Sequence, residues 1–308
     1  MASQIQSSNS RKMNIAIIDD AKVNAKLIAA YVKKLDNANP TVFTKASDGL
    51  TYCLEQDVDI ILLDYKMPEI DGLTFIERIR AVPEKSGVPI VMITSVDDRN
   101  ILRQALDVGA NDFLTKPVDE VELTARVRNM LSLRAYALEL KQMATIDALT
   151  ATYNRRYFLD EAEKEFLRSR RYHTPLSILM LDADKFKRIN DTYGHASGDI
   201  VLSSICDICR SELRSFDFIG RLGGEEFAIC LPETIQQEAM QIAERLRTAI
   251  ENASITTEKG DIRFTVSIGL TVVDCADSYF TDALERADTS LYQAKRNGRN
   301  QVSGLFVE

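Results

Sequence analysis

From Met13 to about Met130, short apolar runs alternate with amphipathic stretches. The runs are Ile15–Ile18, Thr41–Phe43, Ile60–Leu63, Ile90–Ile93 and Asp112–Leu114; helical patterns such as Val23 to Leu35 and Leu73 to Arg80 lie between them. Strands buried on both faces need unbroken apolar runs, and the 3.6-residue period fits crossover helices. The alternation predicts a doubly wound α/β domain with a five-stranded parallel sheet over residues 13–133. A helix free of Gly and Pro follows, from Asp119 to about Met143. Its last turns carry Leu131, Leu138 and Thr145, with Ala135 and Gln142 between, and loosely fit a heptad seam. The helix reads as a linker, extending to about residue 145, that pairs with a second copy; a solvated spacer is the alternative.

Beyond residue 146 the pattern changes. Helices fit Arg155–Tyr172, Ala196–Leu213, Thr234–Asn252 and Phe280–Arg296, and strands fit Ser177–Leu181, Phe218–Leu222, Phe227–Leu231 and Phe264–Val273. A hairpin among these runs predicts an α+β domain over 146–308, its sheet covered by helices.

Charge and composition narrow the partners. A net charge of −8 disfavours a binder of DNA backbone. No apolar run reaches the ~18–20 residues of a membrane helix, so no membrane partner is expected. Residues 1–12 are polar and Ser-rich, without the apolar core of a signal peptide, and read as a disordered leader. The 5 cysteines are scattered and odd in number, which fits reduced thiols and a cytoplasmic location. Cys206 and Cys209 form a C-x-x-C inside an apolar helical pattern and read as a buried helix face.

Chemistry in a parallel sheet collects at the carboxyl ends of its strands. Asp19 and Asp20 end the first run, Asp64 the third and Thr94 the fourth, and Lys116 follows the fifth. Three carboxylates on one edge repel unless they hold a hard divalent cation, and an aspartate bound to that cation is a competent nucleophile toward phosphorus. Lys116 and Thr94 supply a cation and a hydroxyl for phosphoryl oxygens. These residues, in this order, resemble the receiver domain of response regulators. The resemblance implies Asp64 as phosphoacceptor, a Mg²⁺ site on Asp19, Asp20 and Asp64, and a cognate sensor histidine kinase. It also implies Thr94 and Phe113 as residues that reorient on phosphorylation, and a cis peptide at Lys116-Pro117. Asp71-Gly72 is turn and helix-start chemistry.

In the second domain, Gly223-Gly224-Glu225-Glu226-Phe227 puts two acids on a tight turn between strand-like runs. Asp182, ending another strand, is placed to meet them and complete a Mg²⁺ site suited to phosphate transfer. Lys187, Lys295 and Arg299 can neutralise a triphosphate, and Asn190 and Asp199 can read the polar edge of a purine. No P-loop pattern is present. Residues 145–305 resemble the GGDEF family of diguanylate cyclases in its Glu-for-Asp form. The matched motifs are Asp147-x-Leu149-Thr150, Asn154-Arg155-Arg156, Asp182 to Asp191, Gly194-His195-x-x-Gly198-Asp199, the hairpin, and Lys295-x-x-Gly298-Arg299-Asn300.

The resemblance implies condensation of two GTP into cyclic di-GMP and two pyrophosphates. It places Mg²⁺, with Mn²⁺ as an alternative, on Asp182, Glu225, Glu226 and the carbonyl of Ala183. GTP contacts fall to Phe186, Lys187, Asn190, Asp199, Gly223, Gly224, Lys295 and Arg299. Glu225 and Glu226 are the catalytic candidates, and whether Glu225 also acts as base stays open. Each domain holds one GTP by this reading, so a homodimer is implied. Arg214-Ser215-Phe216-Asp217 matches the family's R-x-x-D site for inhibition by cyclic di-GMP, with Arg168 and Arg245 as completing candidates. Asp147 is expected in a structural ion pair, His195 in loop support and His173 on the surface. The competing readings are a GTP or cyclic di-GMP sensor without turnover, a DNA-binding regulator, and an ATP-using cyclase. Intact acids disfavour the first, the acidic charge the second, and Asn190 with Asp199 the third. No Glu-Ala-Leu phosphodiesterase domain is visible.

Overall fold

The structure, a computed structural model, describes residues 11–95, 99–257 and 260–306. Most of the expected leader therefore lies outside the described residues. The chain divides into two compact units, Met1–Glu139 and Leu140–Glu308.

In the first unit, β1 (Met13–Ile18), α1 (Lys22–Val32), β2 (Ala38–Phe43), α2 (Ala46–Glu55), β3 (Ile60–Asp64), α3 (Gly72–Arg80), β4 (Ile90–Thr94), α4 (Arg99–Asp107) and β5 (Asp112–Thr115) alternate along the chain. The described strands form one sheet, order β2-β1-β3-β4-β5, and every pairing is parallel. β3 and β4 are buried at every position because helices cover both faces, which is why their sequences are unbroken apolar runs. Reversal of order between β1 and β3 opens a crevice at their carboxyl ends, where the acids lie. The Asp71 side chain caps α3 by accepting from Thr74 N at 2.8 Å, as its turn chemistry predicts.

α5 runs unbroken from Glu120 to Thr145. Leu123 and Val127 are buried in the receiver core, and Leu131 packs half-buried against it. This corrects the predicted seam. Beyond Leu131, the large apolar side chains left exposed on α5 are Leu133, Tyr136, Leu140 and Met143 (63–70% exposed), and their spacing of three, four and three residues is that of a coiled-coil stripe.

In the second unit, β6 (Tyr153–Asn154), α6 (Arg155–Tyr172), β7 (Leu176–Ala183), α7 (Phe186–Tyr193), α8 (His195–Glu212), β8 (Phe218–Gly223), β9 (Glu226–Pro232), α9 (Gln236–Glu251), β10 (Ser254–Thr257), β11 (Gly260–Arg263), β12 (Val266–Val272), α10 (Phe280–Arg296) and β13 (Val302–Gly304) follow. The main sheet has the order β13-β12-β7-β9-β8-β6, with β7 antiparallel to both neighbours, and β10-β11 form a separate hairpin. One core lies beneath α7, α8 and α9, and another packs α6 and α10 on the opposite face. Cys206 and Cys209 are buried in α8, where burial pushes both thiols well above the ordinary range. Among the described residues, no helix is long and apolar enough to cross a membrane.

Candidate functional sites

At the receiver edge, β1 stops at Ile18 and leaves Asp19 and Asp20 on the loop, while Asp64 and Thr94 terminate β3 and β4. Asp19, Asp64 and Thr94 are buried and Asp20 is exposed. One oxygen from each aspartate lies within 4.8 Å of the others, the only such metal-holding cluster among the described residues. Lys116 Nζ stands 2.9 Å from both Asp19 Oδ2 and Asp64 Oδ2. Burial pushes the Asp64 carboxyl above its usual value; the Lys116 hydrogen bond opposes that, and the charges of Asp19 and Asp20 add to it. Burial disfavours charge on Lys116 too, but its bonds to Asp64 and Asp19 outweigh this and raise it. One ammonium among three carboxylates leaves negative charge uncompensated, and the all-oxygen donor set fits a hard divalent cation. Phe113 sits half-buried on β5, two positions before Thr115, the register partner of Thr94. The Lys116-Pro117 peptide is cis.

In the second unit, β8 and β9 close a tight hairpin with Gly224 and Glu225 at its tip, and Gly224 takes φ 50°, where a side chain is strained. Antiparallel pairing sets Asp182, at the end of β7, opposite Glu226, and Ala183 N donates to Glu225 O at 3.3 Å. Asp182 is buried; Glu225 is half-exposed and Glu226 exposed. The three side chains do not converge into a metal-holding cluster here. Instead Lys295 Nζ lies 2.7 Å from Asp182 Oδ2. Burial lifts the Asp182 carboxyl to about 6; Lys295 pulls it down, and the charges of Glu225 and Glu226 push it up. Acid surplus at this strand end fits a cation joining Lys295 or displacing it.

Lys187 and Asn190 project from α7 and Asp199 from the second turn of α8, while Phe186 packs into the core. Asn190 Oδ1 is buried without a hydrogen-bond partner. A buried acceptor left unpaired costs about 1–3 kcal/mol, so this oxygen awaits a donor. Only glycine fits beside it: a Cβ at Gly198 would stand 1.9 Å from Asn190 Oδ1. Gly198→Ala is therefore expected to displace the amide and weaken binding of a guanine nucleotide at least ~10-fold, since one hydrogen bond at a site built for it is worth 1.4 kcal/mol or more. Calorimetric titration with a non-hydrolysable GTP analogue measures this; unchanged affinity would remove Asn190 from recognition.

Two residues escaped the sequence reading. Buried Asp184 accepts from Thr265 Oγ1 at 2.7 Å, Ser267 Oγ at 2.6 Å and Asn300 N at 3.0 Å, pinning the loop that carries Arg299 to the sheet. Its two-residue offset from Asp182 was the available clue. Arg221 donates from Nε and Nη2 to Gly224 O at 3.0 and 2.8 Å, and from Nη1 to Asp147 Oδ1 at 3.1 Å. It ties the hairpin turn to the segment entering the unit. Burial alone would raise Asp147, but its bonds from Thr150 and Arg221 hold it below the usual range. The expected ion pair of Asp147 thus has Arg221 as partner. His173 ends α6 on the surface and His195 opens α8.

Asp217 Oδ2 accepts from Arg214 N at 2.9 Å, while its Oδ1 is buried and unpartnered. Burial raises this carboxyl, against the Arg214 backbone bond and the charges of Arg214 and Arg245. The Arg214 guanidinium lies 5.8 Å from the Phe216 ring, and Arg245 is held by Glu212 at 2.7 Å. Arg168 instead pairs with Glu165 at 3.6 Å and Glu233 at 3.9 Å. Arg245 is thus brought toward Asp217, whereas the recorded partners of Arg168 are acids of α6 and the β9–α9 turn.

A five-stranded parallel sheet with an acidic carboxyl edge, followed by a hairpin-bearing α+β unit, defines a receiver joined to a GGDEF domain. The response regulator receiver family matches residues 15–128, and the family described as diguanylate cyclase, GGDEF domain, matches residues 144–301. The chain belongs to the GGDEF family of diguanylate cyclases. Response regulator PleD of Caulobacter vibrioides is 32% identical over 299 residues, covering 94% of this chain and 65% of PleD. The chain thus spans 65% of that relative's length. The coiled coil and GGDEF domain of DgcB from Caulobacter crescentus, solved with c-di-GMP, aligns with a TM-score of 0.56 at 28% identity, over 60% of this chain and 98% of that one. Diguanylate cyclase SiaD from Pseudomonas aeruginosa, solved with its activator SiaC, gives 0.52 at 37% identity, over 61% and 72%.

Proposed function

We propose that this chain is a diguanylate cyclase switched on by phosphorylation of its receiver. The observation that carries the reading is the strand-end pairing of Asp182 with the Glu225-Glu226 hairpin, with Lys295 on Asp182; the unpaired Asn190 oxygen of α7 supports it. Asn190 and Asp199 read guanine; Lys187, Lys295 and Arg299 hold phosphates, with Phe186 and the hairpin glycines shaping the floor. Asp182, Glu225, Glu226 and the Ala183 carbonyl hold Mg²⁺ or Mn²⁺. When bound, the cation polarises the α-phosphate and acidifies the attacking hydroxyl. The 3′-oxygen of each nucleotide attacks the other's α-phosphorus, and pyrophosphate leaves. A single unit presents one such site, so two chains must bring their GTP molecules face to face. The exposed stripe Leu133, Tyr136, Leu140 and Met143 supports pairing through α5.

In the receiver (residues 13–133), Asp64 accepts a phosphoryl group from a sensor histidine kinase, with Mg²⁺ on Asp19, Asp20 and Asp64. Lys116 and Thr94 take the phosphoryl oxygens, and Phe113 follows Thr94. Transmission runs through the linker helix into the cyclase unit (146–308). Cyclic di-GMP inhibits at Arg214 and Asp217, whose buried Oδ1 lacks a donor; Arg245 completes the site, and Arg168 joins it from another surface or subunit. The protein works in the cytoplasm. Chromatography of the product from GTP or ATP with Mg²⁺ tests the chemistry: cyclic di-GMP from GTP alone is expected, and bound but unconverted GTP would favour a sensor.

The Asp182 carboxyl sets a pH dependence. Its folded value of about 6 lies above the ordinary 3.8. Between roughly pH 4 and 6 the folded chain keeps a proton that the unfolded chain releases, so this group's stabilisation is present at low pH and lost as pH rises through that window. Metal must displace the same proton. The rise in Tm produced by Mg²⁺ with a GTP analogue is therefore expected to be larger at about pH 7.5 than at about pH 5.5. Thermal unfolding at the two values checks this; equal shifts would take Asp182 out of the metal site.

A further inference from the structure

The Arg214–Asp217 motif begins just beyond the carboxyl end of α8, whose last residue is Glu212. A carboxylate there meets the negative end of the helix dipole, so helix stability gives no reason for an acid at this position. Its partner is Arg245, on α9, and the contact is made at two points. Arg245 Nε stands 2.7 Å from Glu212 Oε2, and Nη2 donates to the Glu212 backbone carbonyl at 2.6 Å. These two donors form the side edge of the guanidinium, an edge that grips a carboxylate or a phosphate through parallel bonds. The charge of Arg245 reaches the motif as well. Burial raises the Asp217 carboxyl, and Arg245 helps Arg214 to oppose that rise. Arg245 therefore belongs to the site while one of its edges is filled by an acid of its own chain.

The other charges around the motif are disposed differently. Arg214 is exposed, lies 5.8 Å from the Phe216 ring and has no ion pair among the described residues. Arg210 is tied to Asp207 and to the Thr150 carbonyl. Asp217 keeps one oxygen on the Arg214 amide and leaves the other, buried, without a donor. A ligand with anionic phosphodiesters thus meets one free arginine, Arg214, and one arginine whose charge Glu212 already compensates.

We propose that Glu212 is a latch on the inhibitory site: it holds Arg245 in a two-point bond, and cyclic di-GMP must draw the guanidinium away from it to bind in full. The inference rests on the reading of Arg214 and Asp217 as that site. No covalent bond changes. One charge-assisted pair is exchanged for another, with a phosphodiester oxygen taking the place of the Glu212 carboxylate. The released carboxylate, already 32% exposed, is solvated by water. Its lost partner offsets much of what the guanidinium gains from the ligand. Arg214 and Asp217 then supply recognition, and Glu212 sets the concentration of product at which the chain stops its own synthesis.

The test is calorimetric titration of the full-length protein with cyclic di-GMP, comparing wild type with E212Q, R245A, E212Q/R245A and R214A. Glu212 and Arg245 are both partly exposed, and circular dichroism verifies each fold. E212Q keeps the side-chain length and removes the charge, so it is expected to bind at least ~10-fold more tightly, the release of about one charge-assisted contact. R245A should bind more weakly than wild type. In its background the gain should vanish, with E212Q/R245A within about threefold of R245A, because the two residues act as one pair. Equal or weaker binding by E212Q would make Glu212 a brace for Arg245 and overturn the latch. A gain that persists without Arg245 would overturn it too, since the acid would then act on the ligand directly. Wild-type affinity surviving in R214A would defeat the inhibitory-site reading and the latch with it. Affinity lost in R214A but indifferent to E212Q would defeat the latch alone.

Discussion

Glu225→Gln is expected to lower the rate of cyclic di-GMP formation at least ~1,000-fold, about 4 kcal/mol of transition-state stabilisation. The substitution keeps side-chain length and removes one charge. Glu225 lies half-exposed at the hairpin tip, and its backbone carbonyl, not its side chain, accepts from Ala183 N. The hairpin should therefore persist, with stability changed by no more than about 0.5 kcal/mol, as for most surface substitutions. What disappears is one of the acids that raise Asp182 and would draw in the metal. Initial rates by chromatography, with Tm from thermal unfolding, separate the two effects. A rate within threefold of wild type (about 0.7 kcal/mol) would show that the hairpin acids do no chemistry.

Asp64→Asn should abolish activation by beryllofluoride, an analogue of the phosphoryl group on aspartate. Wild type is expected to respond at least ~10-fold, as pairing raises the effective concentration of one cyclase unit for another. In the variant the ratio should fall to about one, with basal activity retained, because the buried carboxylate between Asp19 and Lys116 is the attachment point. Lys116 keeps its bond to Asp19, so the receiver should remain folded. Activation surviving in the variant would place the phosphoacceptor elsewhere.

The two folds were legible wherever burial dictates pattern. Ile60–Asp64 and Ile90–Thr94 are buried at every position, so their strands stand out as unbroken apolar runs. Short elements held by tertiary contacts left weaker traces. Charges interrupt the apolar face of helix Phe186–Tyr193, which shows in the sequence only as a motif, and the Ser254–Thr257 and Gly260–Arg263 hairpin has too little apolar content to declare itself. The linker shows why periodicity alone misleads: Leu131 fits a heptad with Leu138, yet it leans on the receiver core, and the free stripe begins at Leu133. At the site, residue identities were readable but their partners were not. Nothing local says that Lys295 sits on Asp182, that Asp184 holds Asn300, or that Arg221 joins Asp147 to the turn; each spans 70 or more positions. Packing of Gly198 against Asn190 likewise emerges only once α7 and α8 are folded together.

The most direct test of a receiver-controlled cyclase is the initial rate of cyclic di-GMP formation by the wild-type chain with GTP and Mg²⁺, with and without beryllofluoride. A rate raised many-fold by beryllofluoride is the predicted result. Equal rates would leave a cyclase without this switch, and no product under either condition would contradict the account at its centre.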